Sequence, residues 1–292
     1  MGNLKEIRVR IASVTSTQKI TGAMKLVSAA KLRRAQMSIL SLRPYSDKLS
    51  EILQNLSTSL DSIENMPLFE ARNPENIVIL AITSNRGLCG SFNSNIVKEV
   101  MLTAETKYPE QFKAGKIKII CFGKKGFEQL RKHFEIISTN DSFVDSPDFS
   151  EIAKVSEKLM QDFITKKIDK VDIVYNQFVN PATQRIIVEN YLPISNLLPD
   201  NSKKINTNYI FEPSKNELLE ELIPKIVKVQ MYKTLIDSIA SEHGARMTSM
   251  SKATDNANEI LKELKLKYNN ARQSSITNEL IEIVSGANAL DG

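Results

Sequence analysis

Two glycine-containing turns are the places in this sequence where residue types and spacing most suggest chemistry. Residues 84–91 (SNRGLCGS) stand between a predicted strand and a predicted helix, where phosphate-binding loops occur, but they lack the dinucleotide spacing and the Gly-Lys-Ser/Thr of a P-loop. Residues 123–126 (GKKG) also join a strand to a helix, whereas the comparable RNA-binding clamp lies between two helices. We interpret both as tight turns, with a nucleotide site as the alternative at the first.

Catalytic and metal-binding side chains are scarce. The chain has two histidines, His133 and His243, and neither falls in a metal-ligand spacing such as HExxH or near a CxxC pair. No nucleophile elbow or paired carboxylates stand out. His243 lies on an apolar helical seam, where a polar residue that fixes the register is the more ordinary interpretation. We expect a non-enzymatic chain, with no cofactor or metal of its own.

Composition and charge narrow the function classes further. Hydrophobic residues make up 41% of the 292 and there is no Trp, which suits long helices better than a sandwich or barrel. Two cysteines, Cys89 and Cys121, favour a reducing compartment, and we expect neither a secretion signal nor a membrane span. Through Ser46 there are nine basic residues against one acid, Glu6. That basic end indicates an acidic partner and leaves a nucleic-acid-binding coiled coil as an alternative.

The elements that must position these residues begin with a long C-terminal helix. Strides of four and three from Leu222 give a mostly apolar heptad seam with no Pro after Pro224. At a rise of about 1.5 Å per residue, this helix would be a rod of roughly 110 Å that must protrude from any globular domain. The seam residues are Leu222, Ile226, Val229, Lys233, Ile236, Ala240, His243, Met247, Met250, Thr254, Ala257, Leu261, Leu264, Tyr268, Ala271 and Ser275.

A second seam at the N-terminus supplies the partner, so the two ends should pair as an antiparallel coiled coil. We expect small residues, including Gly22 and Gly244, to allow close approach, and Pro44 and Pro224 each to kink or interrupt a helix. The predicted seam shifts by one position near residue 20, by drift of the helical period. Its residues are Ile7, Ile11, Val14, Ile20, Met24, Val27, Leu32, Ala35, Ile39, Leu42, Leu49, Leu53, Leu56 and Leu60.

The middle of the chain alternates strands with helices, which predicts a small Rossmann-like α/β domain. The sequence thus predicts an α/β protein in three parts: an N-terminal coiled-coil helix over 1–65, a central domain over 75–212, and a C-terminal helix over 213–292. The predicted strands are 76–83, 116–122, 134–138, 171–179, 184–192 and 209–211, and the predicted helices between them are 94–107, 125–133 and 149–166.

The end of the C-terminal helix is unusual, because after Glu282 it carries no charge until Asp291. A frayed helix end is normally polar. An apolar tip suggests insertion into an apolar socket, with packing against the N-terminal helix as the alternative.

Several segments resemble the gamma subunit of rotary ATP synthases. The last of them has the pattern of that family's C-terminal signature, and the resemblance covers both end helices and the central domain. The matching segments are Ile11–Lys31, Arg86–Gly90, Ala245–Met247, Ala253–Asn256, Tyr268–Gln273 and Ile276–Ala289.

The resemblance implies a central-stalk rotor inside a hexamer of alpha and beta subunits, with the catalytic sites on beta. It implies that Arg272, Gln273 and Thr277 meet a beta-subunit catch loop, and that Met24, Lys25 and Arg246 lie near acidic loops of beta. The foot, around Tyr209, Phe211 and Glu212, would bear on the membrane c-ring and the epsilon subunit. Rotation driven by protons would then be coupled to ATP synthesis, with no role for nucleic acid.

Two departures from the family pattern concern local shape. Asn85 stands where many relatives have Asp, and Pro224 interrupts a helix that is usually free of proline. The cysteine-bearing insertion of chloroplast relatives is absent, so thiol control is not expected. Without a mitochondrial presequence, the resemblance implies a bacterial subunit held at the cytoplasmic face of the inner membrane through its complex.

Overall fold

The computed structural model describes residues 4–56, 67–194 and 215–290. The chain divides into two compact units. The central unit is Ala29–Arg246, and the coiled-coil unit joins Met1–Ser28 with Met247–Gly292. Two helices contribute to both units: α1, which spans Leu4–Leu56, and α7, which spans Lys215–Leu290.

The central unit is built on a five-stranded sheet with the order β3-β2-β1-β4-β5. The first four strands pair in parallel, and β5 pairs antiparallel with β4. Every residue of β1 is buried, as expected for an apolar strand that has neighbours on both sides and a covered sheet. The strands are β1 (Ile77–Ile82), β2 (Ile117–Phe122), β3 (Glu135–Thr139), β4 (Lys170–Asn180) and β5 (Thr183–Leu192).

Among the described residues of the central unit there are five shorter α-helices and one 3-10 helix, Pro67–Phe69. The sequence explains α6 directly. This helix is strongly amphipathic, and the side chain of Asp148 caps its first turn by accepting a hydrogen bond from the Ser150 amide. These helices are α2 (Phe92–Lys107), α3 (Pro109–Lys113), α4 (Lys124–Leu130), α5 (Ser142–Asp145) and α6 (Phe149–Ile164).

The predicted fold class is confirmed, including the parallel sheet, the hairpin and the long helices at both ends. The three predicted inner helices correspond to α2, α4 and α6. Helices α3 and α5 were not predicted, since five and four residues are too short to display a period. The strand predicted over 209–211 lies outside the described residues.

Neither internal proline ends its helix, so an interruption at Pro44 or Pro224 is wrong, while a kink at either proline stays a prediction. One missing amide donor costs about 3 kcal/mol in a helix interior. Around Pro224, the side chains of Leu219, Ile223, Ile226 and Val227 are buried in the central unit. Their burial offsets that cost and keeps α7 helical.

The coiled-coil unit pairs α1 with α7 in antiparallel orientation. Four polar pairs cross between the helices, and in each pair the two residue numbers add up to 275 or 276. One register therefore holds along the whole unit. The pairs are Arg8 with Tyr268 (3.0 Å), Gln18 with Asn258 (2.6 Å), Thr21 with Thr254 (2.8 Å) and Lys25 with Ser251 (3.0 Å).

On α7 the predicted seam agrees with the burial in this unit. Met250, Ala257, Leu261 and Leu264 are buried, and the seam positions between and after them are half-buried.

On α1 the predicted shift of the seam is wrong. Ile20 and Val27 are 60% and 58% exposed, whereas Thr21 and Ser28 are buried. Buried or half-buried positions continue at helical spacing from Val14 through Gln18, Thr21 and Ser28 to Leu32, and the polar residues among them bond to α7 or to their own helix. Apolar character misled the prediction, because the hydroxyl and amide groups satisfy one another inside the seam.

The predicted close approach of Gly22 and Gly244 between the two long helices is also wrong. A Cβ at Gly244 would lie 3.2 Å from Cα of Pro181, so this glycine accommodates the turn between β4 and β5. A Cβ at Gly22 would meet nothing within 4 Å.

Among the helices that the structure describes, none carries the apolar stretch that a bilayer crossing requires.

Candidate partner interface

Arg246 is the most deeply placed of the predicted partner-contact residues. It is 8% exposed, and its Nη1 lies 2.5 Å from Oε1 of Glu242, one turn earlier on α7. Its Nη2 donates to the carbonyl oxygen of Arg86 at 2.9 Å, and its Nε donates to the carbonyl oxygen of Gly87 at 3.4 Å. Inside the central unit, Arg246 therefore ties α7 to the loop after β1. Its direct contact with a partner stays a prediction.

The loop that Arg246 holds has internal hydrogen bonds and presents an apolar side chain. Ser84 donates to the carbonyl oxygen of Arg86 at 2.6 Å, and the side chain of Asn93 accepts from the Ser84 amide at 2.9 Å. Leu88 adopts a φ of 65°, which is uncommon for a non-glycine residue, and its side chain is 62% exposed. Cys89 is buried, and burial raises the pKa of its thiol, so the thiol is neutral and poorly reactive.

The crevice at the carboxyl ends of β1 and β2 is filled by the chain's own groups. Asn85 accepts from the Lys124 amide at 3.1 Å and donates to Asp145 at 2.8 Å. The hydroxyl of Thr83 accepts from the Gly126 amide at 2.9 Å. Two amides at the start of α4, those of Lys124 and Gly126, are thus already bonded to the chain's own side chains, which favours the tight-turn interpretation for residues 123–126.

The glycines of the second turn have a packing role at this crevice. Gly123 has a φ of 101°, and a Cβ there would lie 2.3 Å from the carbonyl oxygen of Thr83. A Cβ at Gly126 would lie 2.7 Å from Oγ1 of the same threonine. Both glycines are required by the close contact between the β1 and β2 ends, so their spacing needs no nucleic-acid ligand to explain it.

Two titratable groups beside Arg246 are buried with it. Burial raises the pKa of Glu242, and Arg246 partly opposes that shift. Burial lowers the pKa of His243 to about 4, and the nearby cations Arg246 and Lys31 lower it further. His243 is therefore neutral near pH 7. Its Nδ1 lies 3.4 Å from Nη1 of Arg246 within the central unit.

Met24 and Lys25 lie on α1 in the coiled-coil unit. Lys25 is exposed and donates to Ser251 at 3.0 Å, and Met24 is half-buried. Next to them, Leu26 and Val27 are 71% and 58% exposed. An ammonium group beside two exposed apolar side chains is typical of a surface that binds another protein.

Arg272, Gln273 and Thr277 lie on the exposed surface of α7. The hydroxyl of Thr277 donates to the carbonyl oxygen of Gln273 at 2.9 Å. The register places Lys25 opposite Ser251, about 21 residues and thus roughly 30 Å before Arg272. The structure therefore separates the two predicted contact groups along the coiled coil.

Beyond Arg272, α7 has no partner helix among the described residues. The register places Leu4, the first described residue of α1, opposite position 272, and α7 continues to Leu290. Every residue of 276–287 is exposed. The large apolar side chains there are Ile276 (49% exposed), Leu280 (57%), Ile281 (58%), Ile283 (67%) and Val284 (57%). We call this segment the apolar tip.

Three residues of the predicted interface cannot be compared with the structure, and three residues of the observed surface and core were not predicted. Tyr209, Phe211 and Glu212 lie outside the described residues. Sequence reasoning missed Glu242 and the exposed Leu88 and Leu26. Glu242 could have been found, because an acid four residues before Arg246 on a helix predicts an ion pair.

Comparisons with known proteins identify the family of this chain. The family model described as ATP synthase matches residues 3–290. Proteins named ATP synthase gamma chain from Christiangramia forsetii and Flavobacterium psychrophilum are 50% and 49% identical to this chain, and each alignment covers all of both chains.

Solved structures show the same fold. A chain of the mitochondrial ATP synthase of Euglena gracilis matches with a TM-score of 0.66 and 20% identity, over 98% of this chain and 94% of that one. A chain of the Tetrahymena thermophila mitochondrial ATP synthase, in a structure of its central stalk and c-ring, matches with a TM-score of 0.60 and 23% identity, over 80% and 99%. Because the family model covers residues 3–290 and full-length relatives are 50% and 49% identical to it, the chain belongs to the ATP synthase gamma chain family.

Proposed function

We propose that this chain is the central-stalk rotor subunit of a bacterial proton-translocating ATP synthase. In this role it lies inside a hexamer of alpha and beta subunits and couples proton-driven rotation to ATP synthesis, and to hydrolysis, at sites on beta. It also regulates the ATPase activity and the proton flow. It is not catalytic itself, and it is held at the cytoplasmic face of the plasma membrane through the c-ring and the epsilon subunit.

The observation that carries this proposal is the apolar tip of α7. A lone helix with five large exposed apolar side chains is costly in water, since each side chain forgoes about 1.5–3 kcal/mol of burial. A hexamer with an apolar central opening would provide that burial. The tip has two carboxylates, Glu279 and Glu282, and no charged residue follows Glu282 before α7 ends at Leu290, which suits insertion of the end.

The basic and apolar surface of α1 would supply the coupling. A shaft can drive a beta subunit from mostly open to mostly closed only by contacts that differ between the two states, and about 5.5 kcal/mol of difference is needed. Lys25, Leu26 and Val27 offer charge and apolar area on the same stretch of helix. Turning this face from one beta subunit to the next would shift their equilibria in sequence.

Each remaining site residue has a place in the proposal. Arg272, Gln273 and Thr277 would bind the catch loop of beta, and Met24 and Lys25 its acidic loops. Arg246 would act there together with the Leu88 loop that it holds. Tyr209, Phe211 and Glu212 would contact the c-ring and epsilon. The division of the chain at residues 65, 75 and 213 stays a prediction.

A nucleic-acid-binding coiled coil and a nucleotide-binding enzyme are the rival functions. The purified chain should hydrolyse no ATP and should bind DNA or RNA only weakly, with a steep loss of affinity as salt is added. It should assemble stably with alpha and beta subunits. Hydrolysis of ATP by the chain alone would instead support the nucleotide-binding enzyme. Nucleic-acid binding that resists salt would support the nucleic-acid-binding coiled coil.

The double variant Arg272→Ala with Gln273→Ala tests the assigned catch. Both side chains are exposed, so the fold should be kept while proton pumping per ATP hydrolysed falls about tenfold, the loss of one charge-assisted contact. Pumping is measured as acidification of vesicles that contain the assembled complex. Lys132→Ala removes an exposed cation from the central unit and serves as the control. Wild-type pumping in the double variant would argue against the catch.

A further inference from the structure

A pair of adjoining cavities lies in the central unit between α1, the β4–β5 hairpin and α7. The larger has a volume of about 370 Å³ and the smaller about 120 Å³, and both are lined by Gln177 and Lys233. Neither cavity belongs to the surfaces assigned to partner binding above. Their walls bring charged residues from two separate helices to one place.

Three charges converge on the smaller cavity. Arg43 comes from α1, and Lys233 and Asp237 come from successive turns of α7. Among the described residues, none of the three forms an ion pair within 4.0 Å or a hydrogen bond, although Asp237 feels the field of both cations. The carboxylate is half-buried and the two cations are largely exposed. The cavity thus holds a carboxylate and two cations that influence each other electrostatically without forming an ion pair.

On the hairpin side, Asp237 faces a hydrogen-bonded network centred on Glu189, which supplies no positive charge to balance an ionised Asp237. Glu189 on β5 accepts from the hydroxyl of Tyr175 at 3.1 Å and from Gln230 at 2.7 Å. The groups that face Asp237 are therefore two cations, one carboxylate and one neutral phenol. The negative charge of Glu189 disfavours ionisation of Asp237, and the two hydrogen bonds of Glu189 hold its carboxylate in place.

We propose that the Arg43–Lys233–Asp237 cavity is a proton-sensitive latch between α1 and α7. With Asp237 protonated, the carboxyl group fits the half-buried site without a charge, and the two helices pack closely against the hairpin. With Asp237 ionised, the carboxylate requires water or a cation, and the cavity must open or draw Arg43 or Lys233 inward. The latch is closed in acid and loosened in alkali.

The direction follows from the protonation equilibrium. Burial raises the pKa of Asp237 to about 6, with Glu189 adding to the rise and Lys233 and Arg43 opposing it. Because the native pKa lies above the unfolded value, this group stabilises the closed state below about pH 4, and that stabilisation is lost as the pH rises through 6. The loss therefore falls in a weakly acidic window, between the unfolded and the native pKa of Asp237, at about pH 4 to 6.

Hydrogen exchange on the full-length chain tests the latch. Protection factors for peptides within 36–46 of α1 and 231–240 of α7 should be up to about tenfold higher near pH 5 than near pH 7.5, since a native pKa two units above the unfolded value shifts the opening equilibrium that far. Glu242, which is also buried with a raised pKa, lies on the same helix. A variant at Asp237 is therefore needed to assign the effect.

Asp237→Asn should remove this dependence on pH and keep the higher protection throughout. Asp255→Asn changes an exposed aspartate of α7 in the coiled-coil unit and should keep the wild-type dependence. Carbon-13 titration of the wild-type Asp237 carboxyl group should give a midpoint near 6, and it decides the matter even if the variant does not fold. A midpoint near 4, or wild-type pH dependence in Asp237→Asn, would overturn the latch.

Discussion

Two segments of the same helix, residues 231–246 and 276–287 of α7, have opposite environments. In the first, only Lys233 is exposed and most of the other residues are buried, while in the second every residue is exposed. Both contain large apolar side chains at helical spacing. The first is surrounded by the central unit, and the second has no partner among the described residues. The difference teaches that an apolar helix pattern alone does not say whether a chain buries its own surface or offers it to others.

The stretch between these extremes is intermediate. Over residues 250–275, burial follows one stripe at heptad spacing, as expected where a single helix packs alongside. The three environments along α7 therefore correspond to a surrounding unit, one neighbouring helix and none. Substitutions of the same type in the two extreme segments can separate effects on folding from effects on assembly.

The largest difference is expected for arginine. Arg246→Ala should lower the free energy of unfolding of the central unit by about 3–5 kcal/mol, because it leaves the buried Glu242 carboxylate without its cation. Arg272→Ala, next to the apolar tip, should change it by less than about 0.5 kcal/mol. Urea unfolding, followed by exchange of the amides in β1 and β4, measures both. Equal losses in the two variants would contradict the contrast.

A leucine pair sharpens the same contrast with a smaller effect. Leu235 is fully buried, so Leu235→Ala should cost about 3 kcal/mol through lost burial and the cavity that remains. Leu280 is 57% exposed, and Leu280→Ala should leave the stability of the free chain nearly unchanged.

The same leucine variants should reverse their order in an assembly assay. Leu280→Ala should weaken binding to the alpha and beta subunits, measured by co-purification at decreasing concentration. Unimpaired assembly of Leu280→Ala, and of a variant in which Ile283 is replaced by alanine as well, would show that the apolar tip is not a binding surface.

The smallest effect concerns pH. His243 has its pKa lowered to about 4, so the unfolded chain binds its proton first, and stability should fall by up to about 2–3 kcal/mol as the pH drops from 6.5 to 4. In His243→Gln this part of the pH dependence should disappear. The apolar tip contains no histidine, and its unfolding should lack the same response. Parallel pH profiles for both proteins would refute the assigned titration.

The sequence predicted those features that depend on local pattern. The apolar run of β1, the amphipathic α6 and the α7 seam are each visible in one short window. The polar part of the α1 seam was not, because Gln18, Thr21 and Ser28 are acceptable inside a helix pair only when their partners are known. The internal role of Arg246 likewise depends on the loop after β1, far away in sequence. Such pairings come from tertiary structure.

The constant residue sum of the cross-helix pairs has a consequence for how such chains change over time. Inserting or deleting one residue between two of these pairs, in either helix, would rotate every contact beyond that point by about 100° and put it out of register with the contacts before it. A compensating change would have to occur near the opposite end of the coding sequence. Where the length of one helix has changed, the two terminal helices should therefore be exchanged together, and a chimera that borrows only one of them should fail to form the coiled coil.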